Sequence, residues 1–98
     1  MYHVRTKSRA LIPFDRREAI SVSEAAEIAG RSVVTVRNWV IDCELGRHIG
    51  GHWAVSRVAL TMFLDGDLDA LAIYLSGDRD DYRVVRYFDR LGIEPLKK

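Results

Sequence analysis

Cys43, His48 and His52 lie within ten residues of one another and carry metal-binding chemistry. A His-x3-His pair beside a thiolate is a fragment of a zinc site, but a closed structural site needs four ligands. The chain holds a single cysteine, so a buried Cys43 and two turn histidines are expected instead. Asp65, Asp67 and Asp69 imitate the start of a calcium loop. That loop requires Gly at its sixth position and Glu at its twelfth, and Ala70 and Ser76 stand there. There is no Gly-rich phosphate loop, no G-x-S-x-G and no Ser-His-Asp ordering. The carboxylates sit near helix starts, where the helix dipole accounts for them. No enzymatic activity, no cofactor and no metal are therefore expected. The remaining chemistry is concentrated in Arg31, Thr35, Arg37 and Asn38. An arginine pairs bidentately with guanine and an asparagine with adenine. Cations and hydroxyls at a helix start meet phosphates. The plain alternatives are a solvated Asn38 and a nonspecific Arg37.

Local signals place these residues on defined elements. Ser21-Val22-Ser23-Glu24 has capping-box spacing, and Ala25, Ile28 and Ala29 follow at helical intervals. Gly30 ends this helix. Ser32, one residue further on, is a second N-cap. It opens a helix from about Val33 to about Cys43, with Val36, Trp39, Val40 and Cys43 on one face. Arg31, Val34, Thr35, Arg37, Asn38 and Ile41 fall on the other sides. Two helices joined by so short a Gly-containing turn have helix-turn-helix spacing, in which the second helix can enter a major groove. Arg47 to Val55 reads as a hairpin around Gly50-Gly51. Ser56 then caps a third helix with Ala59, Leu60, Phe63 and Leu64, stopped at Asp65-Gly66. Trp39 and Trp53 have apolar spacing and are assigned to the core rather than to base stacking.

Two more helices are expected in the tail: a stripe of Leu68, Leu71, Ala72 and Leu75 ending at Gly77, and a helix from Asp80 to Leu91 ending at Gly92. On the latter, Arg79, Arg83, Arg86 and Arg90 share the face opposite Val84, Val85, Phe88 and Leu91. That face is either solvated or a second phosphate- or partner-contacting surface. Residues 1–19 show no periodicity but carry Arg5, Lys7, Arg9, Arg16 and Arg17. They read as a solvated, partly ordered arm, or as an arm that touches phosphates.

The chain's 98 residues suffice for one domain with a modest core. Residues 1–64 carry nine Arg and Lys against six Asp and Glu, and residues 65–98 carry six against eight. This split permits nucleic-acid binding by the first part without proving it. No apolar run of membrane-spanning length occurs, the N-terminus lacks a signal-peptide core, and a lone cysteine suits a reducing compartment. A cytoplasmic protein with no membrane partner is expected.

Glu24-Ala25-Ala26, Gly30-Arg31-Ser32, Thr35-Val36-Arg37-Asn38-Trp39, Gly50 to Trp53 and Val58 to Leu64 together resemble the excisionase and MerR-like group of winged helix-turn-helix DNA-binding domains. The string TVRNWV is especially similar to the recognition helix of phage excisionases. Gly46 fits the family's glycine before the wing, while the Gly50-Gly51-His52 tip carries fewer cations than is usual. The tail is too short and too broken by glycine for the dimerising coiled coil of MerR regulators. The resemblance implies a winged helix-turn-helix DNA-binding domain over 20–64; with the residues outside it, read as an N-terminal arm over 1–19 and a short helical C-terminal extension over 65–98, an α+β fold is expected. It implies double-stranded DNA as partner, contacted by Arg31, Ser32, Val34, Thr35, Arg37 and Asn38 and by the wing residues Arg47, His48, Gly51 and His52. An excisionase-like directionality factor assisting a site-specific recombinase, with self-association on DNA, is the expected role. A small transcriptional regulator, or a protein-interaction adaptor without DNA binding, are its alternatives. The tail helices, outside the family pattern, are expected to be dispensable for the fold and to supply contacts between copies.

Overall fold

The computed structural model describes residues 8–95. Arg5 and Lys7 of the expected basic arm lie outside them. Eight elements follow in order: β1 (Ala19–Ser21), α1 (Val22–Ala29), α2 (Val33–Asp42), β2 (Gly46–Ile49), β3 (His52–Ser56), α3 (Arg57–Asp65), α4 (Leu68–Leu75) and α5 (Tyr82–Leu91). The strands form one antiparallel sheet in the order β1-β3-β2. This is an α+β winged helix-turn-helix.

The helices begin where their caps place them. The Ser21 hydroxyl accepts from the Glu24 amide at 3.0 Å, and the Glu24 carboxylate accepts from the Ser21 amide at 3.1 Å. Both arms of the capping box are thus made. Ser32 accepts from the Thr35 amide at 3.1 Å and fixes the start of α2. Between β2 and β3, Gly50 and Gly51 have φ of 58° and 86°, the paired left-handed geometry of a two-residue hairpin turn. Gly46 is needed for a different reason: a Cβ there would lie 1.9 Å from the Ala54 carbonyl oxygen.

One core runs through the whole described chain. Ala25 and Ala26 of α1 and Val36 and Val40 of α2 meet Val55, Val58 and Leu60, which continue into Leu71, Tyr74, Val84 and Phe88 of α4 and α5. Trp39 packs on Phe63, with ring centroids 5.0 Å apart.

Three expectations are corrected. Residues 8–18 are no solvated arm, because Ala10, Leu11 and Glu18 are buried. The Arg9 amide donates to the Leu75 carbonyl at 2.9 Å, and the Leu11 amide to the Tyr74 hydroxyl at 2.9 Å. Residues 19–21 add β1, which has no signature of its own and forms because β3 presents a free edge (Ile20 opposite Val55). The Arg79 side chain does not belong to the α5 face. Asp78 accepts from the Asp80 and Asp81 amides, so the helix starts after Asp81. The Arg79 guanidinium lies 3.9 Å from the Tyr74 ring centroid and donates to the carbonyls of Tyr74, Arg9 and Ile12. The tail helices are not a separate addition either, since Leu71, Tyr74, Val84 and Phe88 are part of the single core.

Candidate nucleic-acid interface

Burial of Val36 and Val40 fixes which side of α2 faces out. Arg31, Ser32, Val34, Arg37 and Asn38 are exposed on that side, and Thr35 is half-buried. The Ser32 and Thr35 hydroxyls are 3.0 Å apart at the helix start, so the first turn presents hydroxyls and unpaired amides together.

The wing distributes its expected contacts over two places. Gly51 and His52, with Trp53, line an open groove of about 420 Å³ whose other wall is Ser21, Val22 and Ser23 at the start of α1 and Val33 and Arg37 of α2. Arg37, Gly51 and His52 are thereby brought together. Arg47 and His48 line a separate hollow of about 180 Å³ with Ser8, Val40, Ile41, Glu44, Gly46 and Trp53. His48 is exposed and stands edge-on to Trp53, with centroids 5.0 Å apart. Arg47 is half-buried, and its guanidinium donates to the Ala10 carbonyl (2.8 Å) and the Ser8 carbonyl (2.8 Å). It ties the N-terminal segment to the wing.

Aspartates hold four of the arginines. Arg17, Arg83, Arg86 and Arg90 each hold an aspartate: Asp15, Asp81, Asp67 and Asp65. Among the described residues, Arg31 and Arg37 have no such carboxylate. The tail cations are further tied down by Tyr87. Its hydroxyl donates to Asp65 and Asp67, and its ring lies beneath Arg86 and Arg90. Desolvation, and then hydrogen bonding to those carboxylates, push the Tyr87 phenol up to about 12. Arg83, Arg86 and Arg90 thus each face an aspartate, which disfavours a second phosphate site there. Among the described residues no three His, Cys, Asp or Glu side chains are grouped to hold a metal ion, and no helix is long and apolar enough to cross a membrane.

The sequence reading missed the clamps that hold this surface in place. Arg47 and Arg79 bond to carbonyls far away in sequence, and Glu18 sits under α3 and α4. No local pattern marks any of the three. A helix-turn-helix domain family matches residues 19–67, half of the chain. No curated protein and no solved structure matches it.

Proposed function

Since the chain belongs to the helix-turn-helix family, whose fold serves DNA binding, we propose that it binds double-stranded DNA with α2 in the major groove and the wing alongside. The carrying observation is that Arg31, just before α2, and Arg37, on its outward face, hold no carboxylate among the described residues, whereas Arg83, Arg86 and Arg90 of α5 each hold an aspartate. A phosphate strand rising between the major-groove helix and the wing fits the groove lined by Ser23, Arg37, Gly51 and His52. That location favours Arg37 as a phosphate contact rather than a guanine reader. Arg31, Ser32 and Thr35 at the start of α2 supply further phosphate contacts. Asn38, on the outward face, reads adenine. Arg47 contributes by holding the wing.

Within this reading the role is that of an excisionase-like factor. A single module of this size covers too little DNA for genomic specificity, so several copies bind side by side next to a recombinase. Gel shifts across a salt series test the DNA-binding reading. Arg31→Ala and Arg37→Ala should each weaken all sequences alike and flatten the log-log salt slope by about one unit. Asn38→Ala should keep the slope and relax one position of the site selected from random DNA. An unchanged slope for Arg37→Ala with an altered consensus would instead make Arg37 a base reader. Stimulation of excision, assayed with a site-specific recombinase of the same mobile element, tests the role.

A further inference from the structure

One outward-facing residue of α2 is apolar. Val34 is 63% exposed and lies two residues before the buried Val36, about 200° round the helix from it. Its neighbours on the same ridge, one and two turns on, are the exposed Asn38 and Ile41, the latter 36% exposed. Nothing in the fold asks for a valine here. It buries no side chain against the core, and a β-branched residue is a poorer helix former than alanine or a long polar side chain. A surface built to touch DNA only through its phosphates would carry a cation or a hydroxyl at this central position. In the major groove, the C5-methyl of thymine is the group that an aliphatic side chain can recognise.

Resting on the DNA-binding reading above, we propose that Val34 is a specificity residue that recognises a thymine methyl group in the DNA site. Val34 and Asn38 are four residues apart, about 6 Å along the axis, or about two base-pair steps of about 3.4 Å. The thymine therefore lies within about two base pairs of the adenine read by Asn38. Val34 sits in the first turn of α2, the part of a recognition helix that reaches base edges. Ile41 lies two turns further on, beyond that first turn.

The test replaces thymine by deoxyuridine, which removes the methyl and nothing else. Duplexes carrying the site selected by the wild-type protein are made with each thymine replaced in turn. Titration by fluorescence anisotropy uses the wild-type protein and Val34→Ala, a variant that favours the helix and whose fold is checked by circular dichroism. Wild type should lose about fourfold in affinity at one thymine position, the worth of one methyl group removed from water. Val34→Ala, which withdraws two methyl groups from the contact, should show a clearly smaller thymine preference than wild type. At that position, 5-methylcytosine opposite guanine should bind wild type better than cytosine does. If wild type holds every uracil duplex as tightly as the parent, or if Val34→Ala keeps the wild-type thymine preference, the assignment of Val34 is overturned while DNA binding stands. If neither protein is retained by any duplex at low salt, the DNA-binding reading falls and this assignment with it.

Discussion

Glu18 shows how a single residue connects the parts of this fold. It is 2% exposed. Its Oε2 accepts from the Ser56 hydroxyl at 2.6 Å and from the Tyr74 hydroxyl. Ser56 is also the N-cap of α3, accepting from the Ala59 amide at 3.0 Å. Tyr74 belongs to α4 and is capped from above by Arg79. One carboxyl thus joins the segment before β1 to the sheet, to α3 and to the tail. Burial raises the Glu18 carboxyl above its ordinary value; the hydroxyl bonds and the Arg79 charge oppose this only in part, and Asp15 adds to the rise. A raised folded-state pKa stabilises the fold fully below the unfolded value and loses that stability as pH climbs through the folded value. Asp15 and Asp81, held below the usual carboxylate range chiefly by hydrogen bonds from Arg17 and Arg83, act in the opposite direction on acidification. Glu18→Gln keeps a carbonyl acceptor for the hydroxyls and removes the titration. Its stability relative to wild type should therefore grow as pH rises from about 4.5 towards neutrality, while the contributions of Asp15 and Asp81 cancel between the two proteins. Urea midpoints at several pH values measure this. Parallel curves would mean that Glu18 ionises alike in the folded and unfolded chains.

Among the elements, the wing makes the strictest demand on residue type. Gly46 faces Val55 across the hairpin, and any Cβ there meets backbone, which cannot swing aside. Gly46→Ala should cost about 3 kcal/mol or more, at the upper end of overpacking effects, and should abolish protection of the β2 and β3 amides. Gly50→Asn should stay within about 0.5 kcal/mol of wild type, because the turn already accepts asparagine at its first left-handed position. Thermal melts and amide exchange on both variants distinguish a backbone collision from a general sensitivity of the hairpin. The contrast also explains what was readable in advance. The starts of α1, α2 and α3 and the hairpin turn follow from caps and glycines within three residues of the effect: Ser21 with Glu24, Ser32 with Thr35, Ser56 with Ala59, and Gly50 with Gly51. β1 was not readable, since its three residues become a strand only by pairing with β3 more than thirty residues later. Arg79 was misplaced because its spacing to Arg83 looks helical, while its partners, Arg9 and Ile12, are at the other end of the chain. At the candidate site the outward residues of α2 followed from helical periodicity. The division of the wing, with His52 in the groove and Arg47 and His48 outside it, depends on hairpin geometry and on Ser8, which no period encodes.

For the whole molecule the question is whether the family-matched half, residues 19–67, can stand without the rest. Leu71, Tyr74, Val84 and Phe88 lie in the same buried cluster as Val58, Leu60 and Met62 of α3, and the Tyr74 hydroxyl accepts from the Leu11 amide. Exposing the α3 side of this cluster and discarding those four side chains forfeits about 1.5–3 kcal/mol for each. That loss is comparable with the entire net stability of an ordinary domain. A chain ending at Gly66 should therefore lose its fixed tertiary structure rather than survive as a minimal DNA-binding module, and it should bind no DNA even at low salt. Aggregation could obscure that result, so a variant of the full chain carries the same test. Phe88→Ala should cost about 3–5 kcal/mol, as buried phenylalanines do. Because the core is continuous, it should lower exchange protection in α1 and α2 by the same factor as in α5. Intact protection in α1 and α2 alongside a loosened α5 would show that the two halves unfold separately, and that the shared core does not couple the tail to the candidate DNA-reading surface.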